Sequence, residues 1–191
     1  MNKIYGKIYN DETPDSEIIQ EIESTKREDL GFDINLVWND WTLLIWSIFQ
    51  NRRELVKYLL TYPDIDVNLE CFVWDNTALH ESCFTNNIHF LKLLLGHKNI
   101  NVNAQEYWGW TGLHIACLEG YKAHVKELLL DARIDLSIRD KDGRTARDCA
   151  IRETHPEIAN MLKRTECTSL LRIPNASLCR DITRMIIEEY V

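Results

Sequence analysis

The 191-residue sequence predicts an all-α fold in which short helix-turn-helix units stack into a solenoid, and two observations carry this prediction. First, a threonine that opens an apolar segment recurs at intervals of 35, 34 and 34 residues, at Thr42, Thr77, Thr111 and Thr145. Second, each of these segments is followed by another apolar segment. In both segments of a unit the apolar residues have the spacing of an amphipathic helix. Helices this short cannot bury their apolar faces alone, so neighbouring units must share one continuous core.

The residues that bound each helix support the same interpretation. Threonine at the start of each first helix can cap a free backbone N–H group. Residues that tolerate a positive φ precede each threonine by two positions, as a tight turn requires: Asp40, Asp75, Gly109 and Gly143. The turn between the two helices of a unit falls nine residues after the threonine, at Asn51, Asn86 and Gly120. Thr154 departs from this pattern in the last unit.

The segments TALHES at Thr77 and TGLHIA at Thr111, with the unit endings DIDVN, NINVN and RIDLS, resemble the ankyrin-repeat family. The resemblance covers about residues 16–164 and implies an all-α ankyrin-repeat solenoid with β-turn loop tips. It implies a degenerate capping repeat at 16–35 and four repeats at about 36–70, 71–104, 105–138 and 139–164. An extension at 1–15 precedes the array, and a carboxy-terminal helical tail at 165–191 follows it.

Composition excludes several classes of partner. A formal net charge of -8 argues against a broad phosphate-binding surface, so we expect neither nucleic acid nor membrane as a partner. The sequence contains no apolar run of the roughly 20 residues that a membrane span needs, and its first residues lack the apolar region of a signal peptide. We therefore expect a cytoplasmic location, with the nucleus as the alternative. The six cysteines form no C-x-x-C pair and are expected to be reduced, mostly buried thiols.

Neither catalysis nor a cofactor is predicted. The chain contains no glycine-rich phosphate loop, no G-x-S-x-G turn and no H-E-x-x-H helix, so we expect no enzyme, no cofactor and no metal site. The ankyrin resemblance implies that His80 and His114 brace the neighbouring loop by hydrogen bonds. It places Cys83 and Cys117 at small core positions.

The resemblance also implies where a protein partner binds, namely on the loop tips and on the concave side of the first helices. The tip positions carry Trp38, Trp41, Trp74, Tyr107, Trp108 and Trp110. The concave position, seven residues after the threonine, holds Phe49, Phe84 and Leu118, which form an apolar groove. The last tip is polar, with Lys141 and Arg144, and is expected to meet a polar or acidic end of the partner. Trp46 is expected in the core.

An alternative is that the tip aromatics pack only against one another and stiffen the loops. Each tryptophan presents about 200 Å² of surface, and tryptophan and tyrosine are enriched among the residues that dominate binding energy. We therefore favour a binding role for these tips.

The tail predicts one amphipathic helix with two alternative roles. Asn175 or Ser177 can cap it, and Leu178, Ile182, Met185 and Ile186 share one face. The helix can close the open end of the stack. Alternatively, with Ile173 and Pro174 at its entry, it has a weak similarity to F-box-like or SOCS-box-like helices, which recruit ubiquitin-ligase components.

The sequence therefore predicts a non-catalytic protein–protein interaction module. Two alternative hypotheses are a substrate adaptor of a ubiquitin ligase and a structural subunit of a larger assembly whose aromatic surface is permanently covered.

Overall fold

A computed structural model describes residues 4, 6, 7, 10, 12–28 and 32–170 of the chain. Nine helices lie in this part of the chain: α1 (Asp15–Glu28), α2 (Leu43–Phe49), α3 (Arg53–Leu60), α4 (Ala78–Phe84), α5 (Ile88–Leu95), α6 (Gly112–Leu118), α7 (Lys122–Leu129), α8 (Ala146–Arg152) and α9 (Pro156–Leu170). Two short antiparallel strands, β1 (Val37–Trp38) and β2 (Trp41–Thr42), pair before α2 with Val37 opposite Thr42.

The helices form two layers, as the sequence predicts. The first helices of the units, α2, α4, α6 and α8, pack side by side, and α1, α3, α5, α7 and α9 form the second layer. A single cluster of buried apolar side chains runs between the layers, from Ile18 in α1 to Leu162 in α9. Each fully buried leucine or isoleucine contributes roughly 1.5–3 kcal/mol, so the stacked units stabilise one another.

Side chains cap the amino-terminal ends of the first helices by hydrogen bonds to backbone N–H groups. The Thr42 hydroxyl oxygen accepts a hydrogen bond from the backbone N–H of Ile45 at 3.1 Å. In the last unit Asp148 replaces the histidine of the repeat, and its carboxylate accepts the backbone N–H of Thr145 at 2.9 Å. The substitution thus keeps a reciprocal capping box at an end unit.

The predicted turns have the left-handed backbone. The φ angle is 70° at Asp40, 55° at Asp75 and 79° at Gly109. Gly109 also lies so close to the next unit that a Cβ atom would be 3.0 Å from the backbone nitrogen of Lys141, so glycine is required there. Thr154 adopts φ 60° as well, although a β-branched residue is disfavoured in this region.

Two series of side chains tie each unit to the next. The Asn68 amide donates to the carbonyl of Asn99 at 2.8 Å and accepts the N–H of Asn101 at 2.7 Å. Asn35 and Asn103 make the same pair of hydrogen bonds to the next loop. His80 accepts the N–H of Thr77 at Nδ1, so its Nε2 carries the proton and donates to the next unit.

The last helix continues past Arg164, where the repeat pattern in the sequence ends. The Thr165 hydroxyl donates to the carbonyl of Met161 at 3.0 Å, and Glu166 lies 3.7 Å from the Arg147 guanidinium. None of the described helices is both long and apolar enough to span a bilayer. Cys71, Cys83, Cys117 and Cys149 are free and buried, and burial raises the pKa of Cys83 to about 12.

Candidate partner-binding surface

Two of the loop tips are tight turns held by a carboxylate of the same loop. The carboxylate of Glu106 accepts the N–H groups of Trp108 at 2.8 Å and Trp110 at 2.9 Å. In the next unit the carboxylate of Asp140 accepts the backbone N–H groups of Asp142 and Arg144. Both carboxylate residues are buried, so the tips are fixed from beneath.

Neighbouring tips are joined through the backbone. The N–H of Tyr107 donates to the carbonyl oxygen of Trp74 at 2.9 Å, and the N–H of Lys141 donates to that of Trp108 at 3.0 Å. Three successive tips therefore form a continuous ridge along the array.

Aromatic rings cover part of this ridge. The rings of Trp74 and Tyr107 meet edge to face with centroids 6.3 Å apart, and Tyr107 and Trp108 do so at 5.0 Å. The Lys141 ammonium lies 4.0 Å from the centroid of the Tyr107 ring. These packed contacts leave Trp74 50% exposed and Trp108 48% exposed. The rings are thus held in fixed positions and still present large apolar faces to solvent.

The sequence predictions missed two exposed apolar residues at this ridge. Phe72 is 76% exposed and Val73 is also exposed. Both lie in a tip that is one residue longer than the next tip, because Asp75 closes its turn on Cys71, four residues earlier, whereas Gly109 closes on Glu106, three residues earlier. The interval of 35 residues between Thr42 and Thr77 is the signal of this insertion. We call Phe72, Val73, Trp74, Tyr107 and Trp108 the tip surface.

The other predicted tip tryptophans are more enclosed. Trp110 packs against the core, and its indole N–H donates to the buried carboxylate of Asp140 at 3.3 Å. Trp38 and Trp41 also pack against the core, and Trp41 lies 5.2 Å from the Trp46 ring. These residues support the tips, whereas Trp74 and Trp108 present open faces.

The predicted groove residues lie at equivalent positions of three adjacent helices. Phe49 at the end of α2 is exposed and packs on Trp41 and Trp46 at 5.4 Å and 5.2 Å between ring centroids. Phe84 at the end of α4 is 37% exposed, and Leu118 of α6 is partly buried against the core. We call these three residues the groove surface.

The two predicted cationic residues have different environments. The Arg144 guanidinium pairs with Asp140, with Nε 2.9 Å from Oδ2, and also contacts Asp142. Burial raises the pKa of the Asp140 carboxyl, but hydrogen bonds from Arg144 outweigh it and the net pKa is lowered. Lys141 is exposed, and its ammonium contacts the Tyr107 ring but pairs with no carboxylate in the described part of the chain.

A buried carboxylate in the groove was also missed. Glu81 of α4 stands four residues after Thr77, where Trp46, Ile115 and Cys149 stand in the other units. Only 5% of its surface is exposed, and burial raises the pKa of its carboxyl to about 7. The sequence signal is an acid at a position that is apolar in every other unit.

The predicted ligase-docking residues, Ile173, Pro174, Leu178, Ile182, Met185 and Ile186, lie outside the described residues. Within the described residues no group of three or more histidine, cysteine, aspartate or glutamate side chains is arranged to hold a metal ion.

Comparison with known proteins gives one consistent family. Residues 15–106 and 79–169 each match the family model described as ankyrin repeats (3 copies). The chain is 37% identical over 101 residues to the SMC5-SMC6 complex localization factor protein 1 of Homo sapiens, covering 52% of this chain and 10% of that protein. It is 31% identical over 88 residues to protein phosphatase 1 regulatory subunit 27 of Homo sapiens, covering 46% of this chain and 55% of that protein.

A third relative covers more of this chain. Tyrosine-protein kinase HTK16 of Hydra vulgaris is 30% identical over 166 residues, which are 76% of this chain and 21% of the kinase. The chain thus spans between about a tenth and about half of the length of these three relatives.

Proposed function

The chain belongs to the ankyrin-repeat family, whose repeats are protein–protein interaction modules, and from this premise we propose that it is a non-catalytic module that binds a partner protein through the tip surface and the groove surface. In this proposal the partner lies across the first three units and its polar end reaches Lys141. We place this interaction in the cytoplasm or the nucleus.

The observation that carries the proposal is the exposed apolar area of the tip surface. Trp74 and Trp108 each expose about half of their surface, next to Phe72 and Val73 on the lengthened tip. Contiguous exposed apolar patches commonly mark interfaces, and burial of apolar surface releases about 25 cal/mol per Å². A partner that covers these rings therefore gains substantial binding energy.

The fixed positions of the tips favour the same function. Glu106 and Asp140 hold the turns, and backbone hydrogen bonds join Trp74 to Tyr107 and Trp108 to Lys141. A surface that is ordered before binding loses little conformational entropy when the partner arrives. The names of two relatives, a complex localization factor and a phosphatase regulatory subunit, describe proteins that act through other proteins, which supports a binding role here.

Quantitative affinity capture tests this proposal. The wild-type chain and a Trp74→Ala/Trp108→Ala variant are used as baits, and the captured proteins are compared by mass spectrometry. We expect at least one protein that the wild type captures to be captured in an amount about tenfold or more lower by the variant. A tenfold change in affinity corresponds to about 1.4 kcal/mol. Equal capture by both baits, with both shown to be folded by circular dichroism, contradicts the proposal.

The adaptor hypothesis rests on the sequence of residues 173–186 alone. A chain truncated after Leu170 keeps all the described helices, so it separates the tail from the array. If the tail docks a ubiquitin ligase, this truncation removes ligase components from the captured set and leaves the tip-dependent partner bound. If ligase components are absent from the wild-type set as well, the adaptor hypothesis is wrong.

A further inference from the structure

The groove floor contains one ionisable side chain that the proposed function does not use, the carboxylate of Glu81. Ankyrin units stack in register, so Glu81 of α4 lies between Trp46 of α2 and Ile115 of α6. Phe84 and Thr85 are three and four residues later on the same helix face, and both are exposed to the groove. Glu81 is thus three residues before Phe84 on α4, and Phe49 stands at the position equivalent to Phe84 on the neighbouring helix α2.

No cation of the described residues pairs with this carboxylate. Helix α2 has no titratable side chain, and the titratable residues of α6, His114 and Cys117, are buried in the core. Helix α5 carries His89 and Lys92, and the Lys92 ammonium pairs with Glu127 at 3.3 Å. On α4 itself, His80 is a neutral ring whose hydrogen bonds hold the next loop.

The Glu81 oxygens are nevertheless not sealed inside the protein. They form no hydrogen bond with a described residue. Unlike Nε2 of His89, which is fully buried and has no partner in the described part of the chain, they keep some contact with solvent. A carboxylate that is only 5% exposed and has no counter-ion among the described residues is costly, and a cation supplied from outside offsets that cost.

We propose that Glu81, with the rings of Phe49 and Phe84, forms a subsite for a lysine or arginine side chain of the partner protein. The inference rests on the proposed function, since it assigns the chemistry of the partner segment that crosses the groove. The aliphatic stem of the lysine or arginine packs between the two exposed rings, and its charged end pairs with the Glu81 carboxylate. Aromatic rings also attract such a cation through their faces.

Synthetic peptides test the subsite directly. Acetylated and amidated nonapeptides carry a central lysine, arginine, glutamine or norleucine between two leucines, and binding is followed by tryptophan fluorescence and calorimetry. We expect the lysine and arginine peptides to bind the full-length wild-type chain at least about tenfold more tightly than the norleucine peptide, a difference of about 1.4 kcal/mol. In Glu81→Gln this preference falls below about threefold and the norleucine peptide binds as before.

The control variant is Glu12→Gln, which removes an exposed carboxylate before α1 and keeps the preference. Equal binding of the four peptides, absence of binding by all four, or a lysine preference that Glu81→Gln retains overturns the subsite. If Glu81→Gln captures the tip-dependent partner as the wild type does, while Trp74→Ala/Trp108→Ala loses it, the subsite is wrong and the proposed function stands.

Discussion

The backbone N–H of Tyr107 donates to the carbonyl oxygen of Trp74 at 2.9 Å, so the tips of two successive units are joined directly. The two rings also meet edge to face, with centroids 6.3 Å apart. The tip surface therefore also contributes to the contacts between units. The effects of substituting its residues on binding and on the free energy of unfolding must be measured separately.

Trp110 is predicted to act on stability, in contrast to Trp108. Its ring is packed against the core and its indole N–H donates to Asp140, so Trp110→Ala leaves a cavity and removes one of the hydrogen bonds to Oδ2 of Asp140, which Arg144 still contacts. We expect a loss of about 3 kcal/mol in the free energy of unfolding, measured by urea denaturation. Trp108→Ala is the matched control and is expected to cost less than about 1 kcal/mol. Equal losses would contradict this division of roles.

Asn68 is predicted to contribute to the coupling between units. Its amide makes two hydrogen bonds to the loop of the next unit, and alanine leaves that carbonyl and N–H without their partner. Asn68→Ala should lower the free energy of unfolding by about 1–2 kcal/mol. Asn160→Ala is the control, because Asn160 is exposed on α9 and its side chain forms no hydrogen bond with any of the described residues. A loss no larger than the control's would refute the coupling role.

Glu81 is predicted to make stability depend on pH. Its pKa is about 7 in the folded chain and 4.5 ordinarily, so the folded state binds more protons between these values. The free energy of unfolding therefore falls as the pH rises through that window. We expect Glu81→Gln to be about 2 kcal/mol more stable than the wild type at pH 8 and to approach it at pH 5. A stability difference that does not change between pH 5 and pH 8 would exclude this role.

The end of α9 is predicted to belong to the array. Truncation after Arg164 removes Thr165, which bonds to Met161, and Glu166, which faces Arg147. This chain should be about 1 kcal/mol less stable than one truncated after Leu170, since partly exposed ion pairs and last turns contribute little individually. Identical melting curves for the two truncated chains would contradict the prediction.

Much of the fold follows from local rules that the sequence displays. Threonine caps, left-handed turn residues such as Asp75 and Gly109, and helical spacing are each local, so they locate the units and the turns. The sequence also places Phe49, Phe84 and Leu118 at equivalent positions of adjacent units. The role of Asn68 was not predicted, because its partners lie about thirty residues away and no local pattern identifies them.

The site was less predictable than the fold. Position in the repeat puts Trp108 and Trp110 on the same tip, but only the packed structure shows that Asp140 holds Trp110 while the Trp108 ring faces solvent. Exposure depends on neighbours from the next unit, which one repeat does not reveal. Phe72 was missed because its tip contains one more residue than the next tip, which the positions of the repeat do not reveal.

The affinity of the captured partner for the Trp74→Ala/Trp108→Ala variant is the most direct test of the central claim. Both rings expose about half of their surface, so the account predicts a loss of at least about thirtyfold in affinity, about 2 kcal/mol, with a melting temperature close to that of the wild type. Unchanged affinity together with a large fall in melting temperature would mean that these aromatics only stiffen the tips, and would contradict the claim.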